Sequence, residues 1–226
     1  MRIIKNIWLG CAATLLVMTA PLLAHADDLT SNSQPYFNSG SQTDQSVTAN
    51  EQRNEPQKPL TISTSSPVPL EGYRWKSRHI RIYMETDNPQ IRAGFRDAVR
   101  KWNRPGIVHF SWTKHRSKAQ VIASDGDLTD TSNDPTVGYN TSQLGTTETS
   151  YDPHTHAMLR ATSILDSGTL AGTSLHYRSE VAQHELGHAL GLSHAQEYQH
   201  SVMVPRNVRT GITKQDIRSV RLLYDR

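Results

Sequence analysis

Cysteine is almost absent from this chain of 226 residues, which contains only one, Cys11. That residue lies in an apolar stretch from 7 to 23, preceded by two basic residues and followed by small residues at positions 24–26. A basic start, an apolar segment and a small-residue site are typical of a secretory signal peptide, here residues 1–26. The sequence therefore predicts an exported chain that contains no cysteine.

The lack of cysteine excludes several kinds of site from the exported chain. Disulfide scaffolds, thiolate zinc sites and cysteine nucleophiles all need the missing thiol group.

The apolar run of the leader leaves an alternative open. An uncleaved membrane anchor is the competing interpretation of residues 7–23, because these 17 residues lie at the lower limit for spanning a bilayer. Pro21 and the small residues that follow it favour cleavage. We therefore expect a secreted, extracellular protein, which is attached to a membrane only if the leader is retained.

The chain also has little excess charge. It contains 24 basic and 21 acidic residues, and loss of Arg2 and Lys5 with the leader leaves 22 and 21, a net charge of +1. The isoelectric point of about 9.0 is therefore no argument for a nucleic-acid partner, and none is expected.

Apolar residues are scarce between the leader and residue 70. Residues 27–70 are rich in Ser, Thr, Asn, Gln and Pro and lack any helical or strand period, which is typical of a disordered linker or short pro-segment. This segment carries a net charge of −3, whereas residues 71–226 carry +4. The second segment is long enough for one domain that buries about two-thirds of its surface.

Hydrophobic periodicity within 71–226 predicts an α+β architecture, because a strand, a helix, several strands and two helices follow one another. The predicted strands are 79–85, 107–112, 119–124, 137–141 and 157–165, and the predicted helices lie between Pro89 and Pro105, at 174–190 and at 213–224. Trp75, Trp102 and Trp112 fall in or beside these elements and are predicted core residues.

The segment from His184 to His194 reads His-Glu-Leu-Gly-His-Ala-Leu-Gly-Leu-Ser-His. His184 and His188 are four residues apart, so a helix places both on one face, where they can bind one metal ion. Glu185 lies about 100° around the helix and is therefore placed beside the metal. Gly191 allows a positive φ that ends the helix and lets His194 supply a third ligand.

Three neutral imidazoles leave one position of a tetrahedral zinc ion open for water. Zinc lowers the pKa of that water to about 7, so Glu185 can take its proton as general base and pass it to the leaving amine as general acid. The motif therefore predicts one catalytic Zn²⁺ ion and hydrolysis of an amide bond.

This motif resembles the zinc-binding signature of the metzincin metallopeptidases. Residues 201–205, Ser-Val-Met-Val-Pro, are similar to the methionine turn of that clan, most of all in its matrixin family, and residues 212–224 resemble the last matrixin helix. The resemblance implies a twisted mixed sheet with three helices and zinc at the floor of the cleft. It also implies that Met203 lies beneath the histidines without binding the metal.

The resemblance further implies how a peptide substrate binds. An extended peptide would pair with an edge strand within 137–151 by main-chain hydrogen bonds. The loop from Val204 to Ile212 would wall the pocket for the side chain beyond the cut bond.

In vertebrate-type matrixins, a cysteine of the pro-segment binds the zinc ion. Residues 27–70 of this chain contain no cysteine. The structural zinc and calcium ions of those matrixins suggest two weaker candidates in this chain. They are the segment 152–156, with Asp152, His154 and His156, for a second zinc ion, and the oxygen-rich segment 125–134 for Ca²⁺. A solvated turn and an ordinary acidic loop are the alternative interpretations.

The sequence therefore predicts a secreted zinc endopeptidase, with His184, His188 and His194 as zinc ligands and Glu185 as general base and acid. Export makes the substrate an extracellular or cell-envelope protein or peptide, such as one of an extracellular matrix, and we expect a monomer. Two alternatives stay open: a zinc-dependent hydrolase of cell-wall amides, and a non-catalytic secreted binding module in which zinc is structural.

Overall fold

The computed structural model describes residues 58–128, 143–205 and 210–225. Within these residues the chain forms five β-strands, three α-helices and one short 3-10 helix. The strands are β1 His79–Met84, β2 His109–Trp112, β3 Val121–Gly126, β4 Gly145–Asp152 and β5 Ala157–Asp166; the helices are α1 Pro89–Asn103, α2 Leu175–His188 and α3 Lys214–Tyr224, with the 3-10 helix at Arg116–Lys118. The predicted α+β class, with a mixed sheet and three helices, is confirmed.

The five strands form one sheet in the order β2-β1-β3-β5-β4. The first four strands of that order run parallel, and β4 pairs antiparallel with β5 at the edge. Parallel strands need helical crossovers, and the first of them, α1, connects β1 to β2. The edge position of β4 leaves one side of its backbone unpaired within the sheet, among the strands that the structure describes.

Hydrophobic periodicity did not predict β4, whose residues read Gly-Thr-Thr-Glu-Thr-Ser-Tyr-Asp, although the family resemblance placed an edge strand within 137–151. These residues are mostly polar and show no apolar alternation, because an edge strand buries only part of its surface. Its β-branched threonines nevertheless suit an extended backbone. The strand predicted at 137–141 lies outside the described residues.

Helix α1 fixes the position of α2. The Asn88 side chain caps α1 by accepting hydrogen bonds from the backbone of Gln90 and Ile91, at 2.9 and 3.4 Å. At the other end of the helix, the Trp102 indole donates to the backbone oxygen of Gln183 on α2, at 3.0 Å. Both helices also contact the sheet, α1 at β2 and α2 at β4 and β5.

Helix α2 is buried at every position from Arg178 to His188. Ser174 caps its first turn by accepting from the backbone of Tyr177 at 3.1 Å, and the helix ends just before Gly191, whose φ is 97°. A helix buried on all sides must have its polar groups satisfied by the protein. Among the described residues, no helix has the length and apolar character needed to cross a membrane.

Residues 58–70 differ from the expectation of a disordered linker, because they pack against the domain. Val68 is fully buried, and its backbone nitrogen donates to the Ser219 hydroxyl of α3 at 2.9 Å. Leu70 forms an antiparallel bridge with Leu192, just beyond α2. A few apolar side chains and main-chain pairing are enough to order a segment whose composition is mostly polar. The packed body thus includes residues that precede position 71.

Two of the three tryptophans predicted as core residues are buried. Trp75 and Trp102 are each 2% exposed, and the Trp75 indole donates to the backbone oxygen of Ala189 at 2.7 Å. Trp112, in contrast, is 42% exposed. It ends β2, the strand at the other edge of the sheet, where no further strand among those described covers it.

Replacement of Val68 tests whether this N-terminal segment contributes to stability. We expect Val68→Ala to lower the free energy of unfolding by about 2 kcal/mol, because it removes two buried methyl groups and leaves a cavity. Leu159→Ala, at a residue that is 60% exposed, is the control and should change stability by less than about 0.5 kcal/mol. Urea denaturation of both variants measures the difference, and equal stability of the two would contradict the packing.

Candidate metal centre

Three histidine side chains meet at the end of α2. His184 and His188 lie one turn apart on the helix, and the reversal at Gly191 brings His194 to the same place. One ring nitrogen from each histidine lies within 4.8 Å of those of the other two. All three predicted zinc ligands are therefore brought together.

Backbone carbonyl groups orient two of these rings. His184 Nδ1 lies 2.7 Å from the oxygen of Val202, and His188 Nδ1 lies 2.9 Å from the oxygen of Leu192. A carbonyl oxygen only accepts, so each Nδ1 carries the proton and each Nε2 keeps its lone pair. The lone pairs of both Nε2 atoms are thus available for a metal ion.

The spacing of the nitrogen atoms fits a bound cation. The Nε2 atoms of His184 and His188 are 3.2 Å apart, and neither has a proton to share with the other. Two imidazole nitrogens on a tetrahedral zinc ion lie about 3.3 Å apart. His194 Nε2 is buried without a hydrogen-bond partner in the described part of the chain. A zinc ion would give all three lone pairs the partner they lack.

Burial keeps the imidazoles in the neutral form that binds metals. It lowers the pKa of His184 well below the usual value, and the neighbouring His188 adds to this effect. The same two causes lower the pKa of His194 to about 4. Both rings are therefore neutral at pH 7, and binding of a metal ion need not displace a proton from them.

Glu185 lies beside the three histidines and is 1% exposed. Burial raises the pKa of its carboxyl group to about 7, although nearby His188 and a hydrogen bond from Thr147 oppose the rise. The Thr147 hydroxyl donates to Oε2 at 2.8 Å. Near neutral pH such a carboxylate can both take and return a proton, which is the chemistry expected of Glu185.

The turn that contains Met203 packs directly against the metal-binding helix. Met203 is fully buried, and its sulfur lies so close to Gly187 that a Cβ atom there would collide with it. Gly187 lies between the two histidines of α2 in sequence. The backbone oxygen of Met203 also accepts from the nitrogen of Ala195 at 2.9 Å, which links the turn to the residue after the third histidine.

Asp216 fastens the same turn to α3. The sequence predicts a capping box between Thr213 and Asp216, and both of its hydrogen bonds are present. The fully buried carboxylate also accepts from the Ser201 hydroxyl and, at 3.1 Å, from the Val202 nitrogen. Val202 is the residue whose oxygen orients His184, so Asp216 supports that ring through one peptide unit. Sequence reasoning missed this second role, because a capping box accounts for only part of the carboxylate's accepting capacity.

Glu71 is a second residue near the centre that the sequence did not indicate. Its carboxylate lies 3.6 Å from His188 Nδ1, and its backbone nitrogen donates to the oxygen of Gly191 at 2.9 Å. Carboxylates that face the outer nitrogen of a metal-binding histidine raise the basicity of the ligand. Glu71 is held near the centre by its backbone hydrogen bond to Gly191, a residue far away in the sequence, so no local sequence pattern indicates it.

The weaker metal candidates are not gathered in the same way. Asp152 accepts hydrogen bonds from the His154 nitrogen at 2.9 Å and the Thr155 hydroxyl at 2.8 Å, within the hairpin turn between β4 and β5. His156 Nδ1 lies 3.0 Å from the oxygen of Gly72. Within the described residues, only the three histidines of the centre form a group that could hold a metal ion. Residues 129–134 of the calcium candidate lie outside the described residues.

The sequence model of the matrixin family matches residues 74–225 of the chain. No curated protein matches it in sequence. Among solved structures, two of myroilysin align with the chain. One is 11% identical and covers 74% of this chain and 91% of the myroilysin chain, with a TM-score of 0.46. The other is 13% identical and covers 75% and 99%, with a TM-score of 0.44.

Gly187→Ala tests the contact between α2 and Met203. Alanine in place of a helical glycine ordinarily stabilises a protein by about 1 kcal/mol. Here we expect a loss of about 1–3 kcal/mol in the free energy of unfolding and weaker zinc binding, because the added methyl group collides with the Met203 sulfur.

Denaturation of the zinc-free protein and competition with a chelator measure the two effects of Gly187→Ala. Gly168→Ala is the control, since a Cβ atom there meets only the Asp166 carboxylate at an ordinary 3.5 Å. A gain in stability for Gly187→Ala would show that the sulfur has room to move.

Proposed function

Because the chain belongs to the matrixin family, we propose that it is a secreted zinc-dependent endopeptidase of extracellular or cell-envelope proteins. One observation carries the proposal: three imidazoles converge on one point, with a buried carboxylate beside them. A structural zinc site is closed by four protein ligands, whereas a catalytic one keeps a position open. Within the described residues three ligands converge here, and Glu185 has a proton-transfer role only if the fourth position takes up water.

His184, His188 and His194 would hold the zinc ion, which when bound acts as a Lewis acid that acidifies water and polarises a carbonyl group. Glu185 takes a proton from the attacking water at its carboxylate. The same carboxyl group then gives that proton to the nitrogen of the leaving amine as the peptide bond breaks. Its pKa of about 7 suits both transfers near neutral pH.

Strand β4 is our candidate for the surface that binds the peptide. It lies at the edge of the sheet, and the Thr147 side chain on it reaches Glu185. An extended peptide that adds to this edge would gain main-chain hydrogen bonds and would run past the carboxylate. Residues 206–209 of the loop from Val204 to Ile212, which the sequence predicts to wall the pocket after the cut bond, lie outside the described residues.

The proposed location and state of the enzyme rest on the sequence. The basic, apolar and small-residue pattern of residues 1–26 supports export, and the substrate would then lie outside the cytoplasm. We propose a monomer that carries one zinc ion. Latency by a cysteine on zinc is not available to an exported chain that lacks the residue.

Glu185→Gln tests the catalytic role directly. The change keeps the shape of the side chain but removes its ability to accept a proton from water. In the full-length protein we expect kcat/KM on an unfolded protein substrate to fall by about 10²–10⁴-fold, with one zinc ion still bound. Glu85→Gln is the control, since Glu85 pairs with Arg116 in a partly exposed ion pair.

Assays of the wild type on unfolded protein and on peptidoglycan separate the proposal from its alternatives. A folded wild type that holds zinc but cuts neither unfolded protein nor peptidoglycan would exclude the peptidase and indicate a binding module. Cleavage of peptidoglycan alone would instead indicate a hydrolase of cell-wall amides.

Removal of the metal gives an independent test. A chelator such as 1,10-phenanthroline should abolish hydrolysis, and one equivalent of Zn²⁺ should restore it, because the three histidines hold a single ion. Elemental analysis and activity are measured during the titration. Full activity in metal-free protein would contradict the proposal.

A further inference from the structure

The Thr147 hydroxyl lies at the centre of a small polar group beneath β4. Its oxygen is 2.8 Å from Oε2 of Glu185, 3.0 Å from the backbone oxygen of Glu185 and 3.0 Å from the hydroxyl of Ser163. Thr147 is 3% exposed, and Ser163, its cross-strand neighbour on β5, is fully buried. Water therefore does not compete for these hydrogen bonds.

A hydroxyl group has one proton to donate, and three oxygens lie within its reach. The nearest of them, Oε2 of Glu185, is also the only one that carries charge when ionised, and charge-assisted hydrogen bonds are the stronger kind. The Thr147 proton therefore goes to Glu185. The Ser163 hydroxyl and the Glu185 backbone oxygen, each at 3.0 Å, are uncharged and more distant acceptors for the same proton.

The other side of the Glu185 carboxylate is bounded by Gly145. A Cβ atom at that position would lie 2.8 Å from Oε1, closer than any side chain allows. The glycine leaves just enough room for Oε1, while Thr147 holds Oε2. Two residues of one edge strand thus determine where both carboxylate oxygens lie.

We propose that Thr147 is a positioning residue for the reaction: its hydroxyl holds the Glu185 carboxylate in the orientation that accepts a proton from the attacking water. This inference rests on the proposed function, in which Glu185 is the general base. The hydrogen bond from Thr147 uses one lone pair of Oε2, so the carboxylate keeps other lone pairs to accept the proton of the water. Thr147 also joins the base to the strand on which the substrate is proposed to lie.

A matched pair of variants in the full-length protein tests the proposal. Thr147→Val keeps the branched shape but removes the hydroxyl, and Thr147→Ser keeps the hydroxyl but removes the methyl group. We expect Thr147→Val to lower kcat by about 10- to 100-fold, with KM within about twofold of wild type and zinc content unchanged. Thr147→Ser should restore kcat to within about threefold of wild type.

Two further variants separate positioning from general damage. Thr86→Val removes another buried threonine hydroxyl, one that accepts from the Asn88 nitrogen at 3.0 Å near the start of α1, and should leave kcat unchanged. Thr147→Ala removes the same hydroxyl with a smaller side chain and should lower kcat as far as Thr147→Val does, by about 10- to 100-fold. It keeps the proposal testable if Thr147→Val does not fold.

Crystal structures of the zinc-loaded variants give a readout that does not depend on activity. The Glu185 carboxylate should leave its position or take two conformations in Thr147→Val, and should stay in place in Thr147→Ser. An unmoved carboxylate in Thr147→Val, or a kcat within twofold of wild type, would overturn the proposal. A loss of kcat that serine does not restore would do the same. If wild type holds zinc but cuts no peptide, the proposed function fails, and the crystal structures still decide whether Thr147 positions Glu185.

Discussion

The structure depends on one constraint: three imidazole rings and a carboxylate meet at one largely buried place, and each must be oriented by the protein. Buried polar groups are costly unless they are hydrogen-bonded, so every ring nitrogen that faces away from the centre needs a partner. Val202 and Leu192 supply carbonyl oxygens for two of them, at 2.7 and 2.9 Å. The ring nitrogens that remain face one another, an arrangement that could hold a metal ion.

The rest of the fold serves to hold these partners in place. Asp216, at the start of α3, binds the nitrogen of the residue whose oxygen orients His184. The Trp102 indole of α1 donates a hydrogen bond to the backbone oxygen of Gln183, the residue before His184 on α2. The sheet contributes from the other side, where Thr147 donates to Glu185. Helices α1 and α3 and strand β4 therefore each contribute a hydrogen bond at or near the last two turns of α2.

Much of this arrangement could be predicted from local patterns, and the remainder could not. The spacing of His184, Glu185 and His188 follows from helix geometry, and the parallel strands have the apolar alternation that burial requires. β4 escaped prediction from periodicity because its composition is polar, and residues 58–70 because three or four apolar contacts do not form a period. Contacts such as that between Thr147 and Glu185, 38 residues apart, leave no local signal at all. The residues that refine the site are those whose partners are far away in sequence.

The pairing of residues 67–71 with the end of α2 has a consequence for how the chain can be trimmed. Pro69 accepts from the Ser193 nitrogen at 2.8 Å, Glu71 binds Gly191, and Pro67 accepts from the Gln199 side chain at 2.7 Å. These contacts flank His194 on both sides. Cleavage before residue 67 keeps all three of these contacts around the third ligand. Cleavage after Leu70 removes those of Pro67 and Pro69. The permissible N-terminus of a mature enzyme is therefore set by the geometry of its metal site.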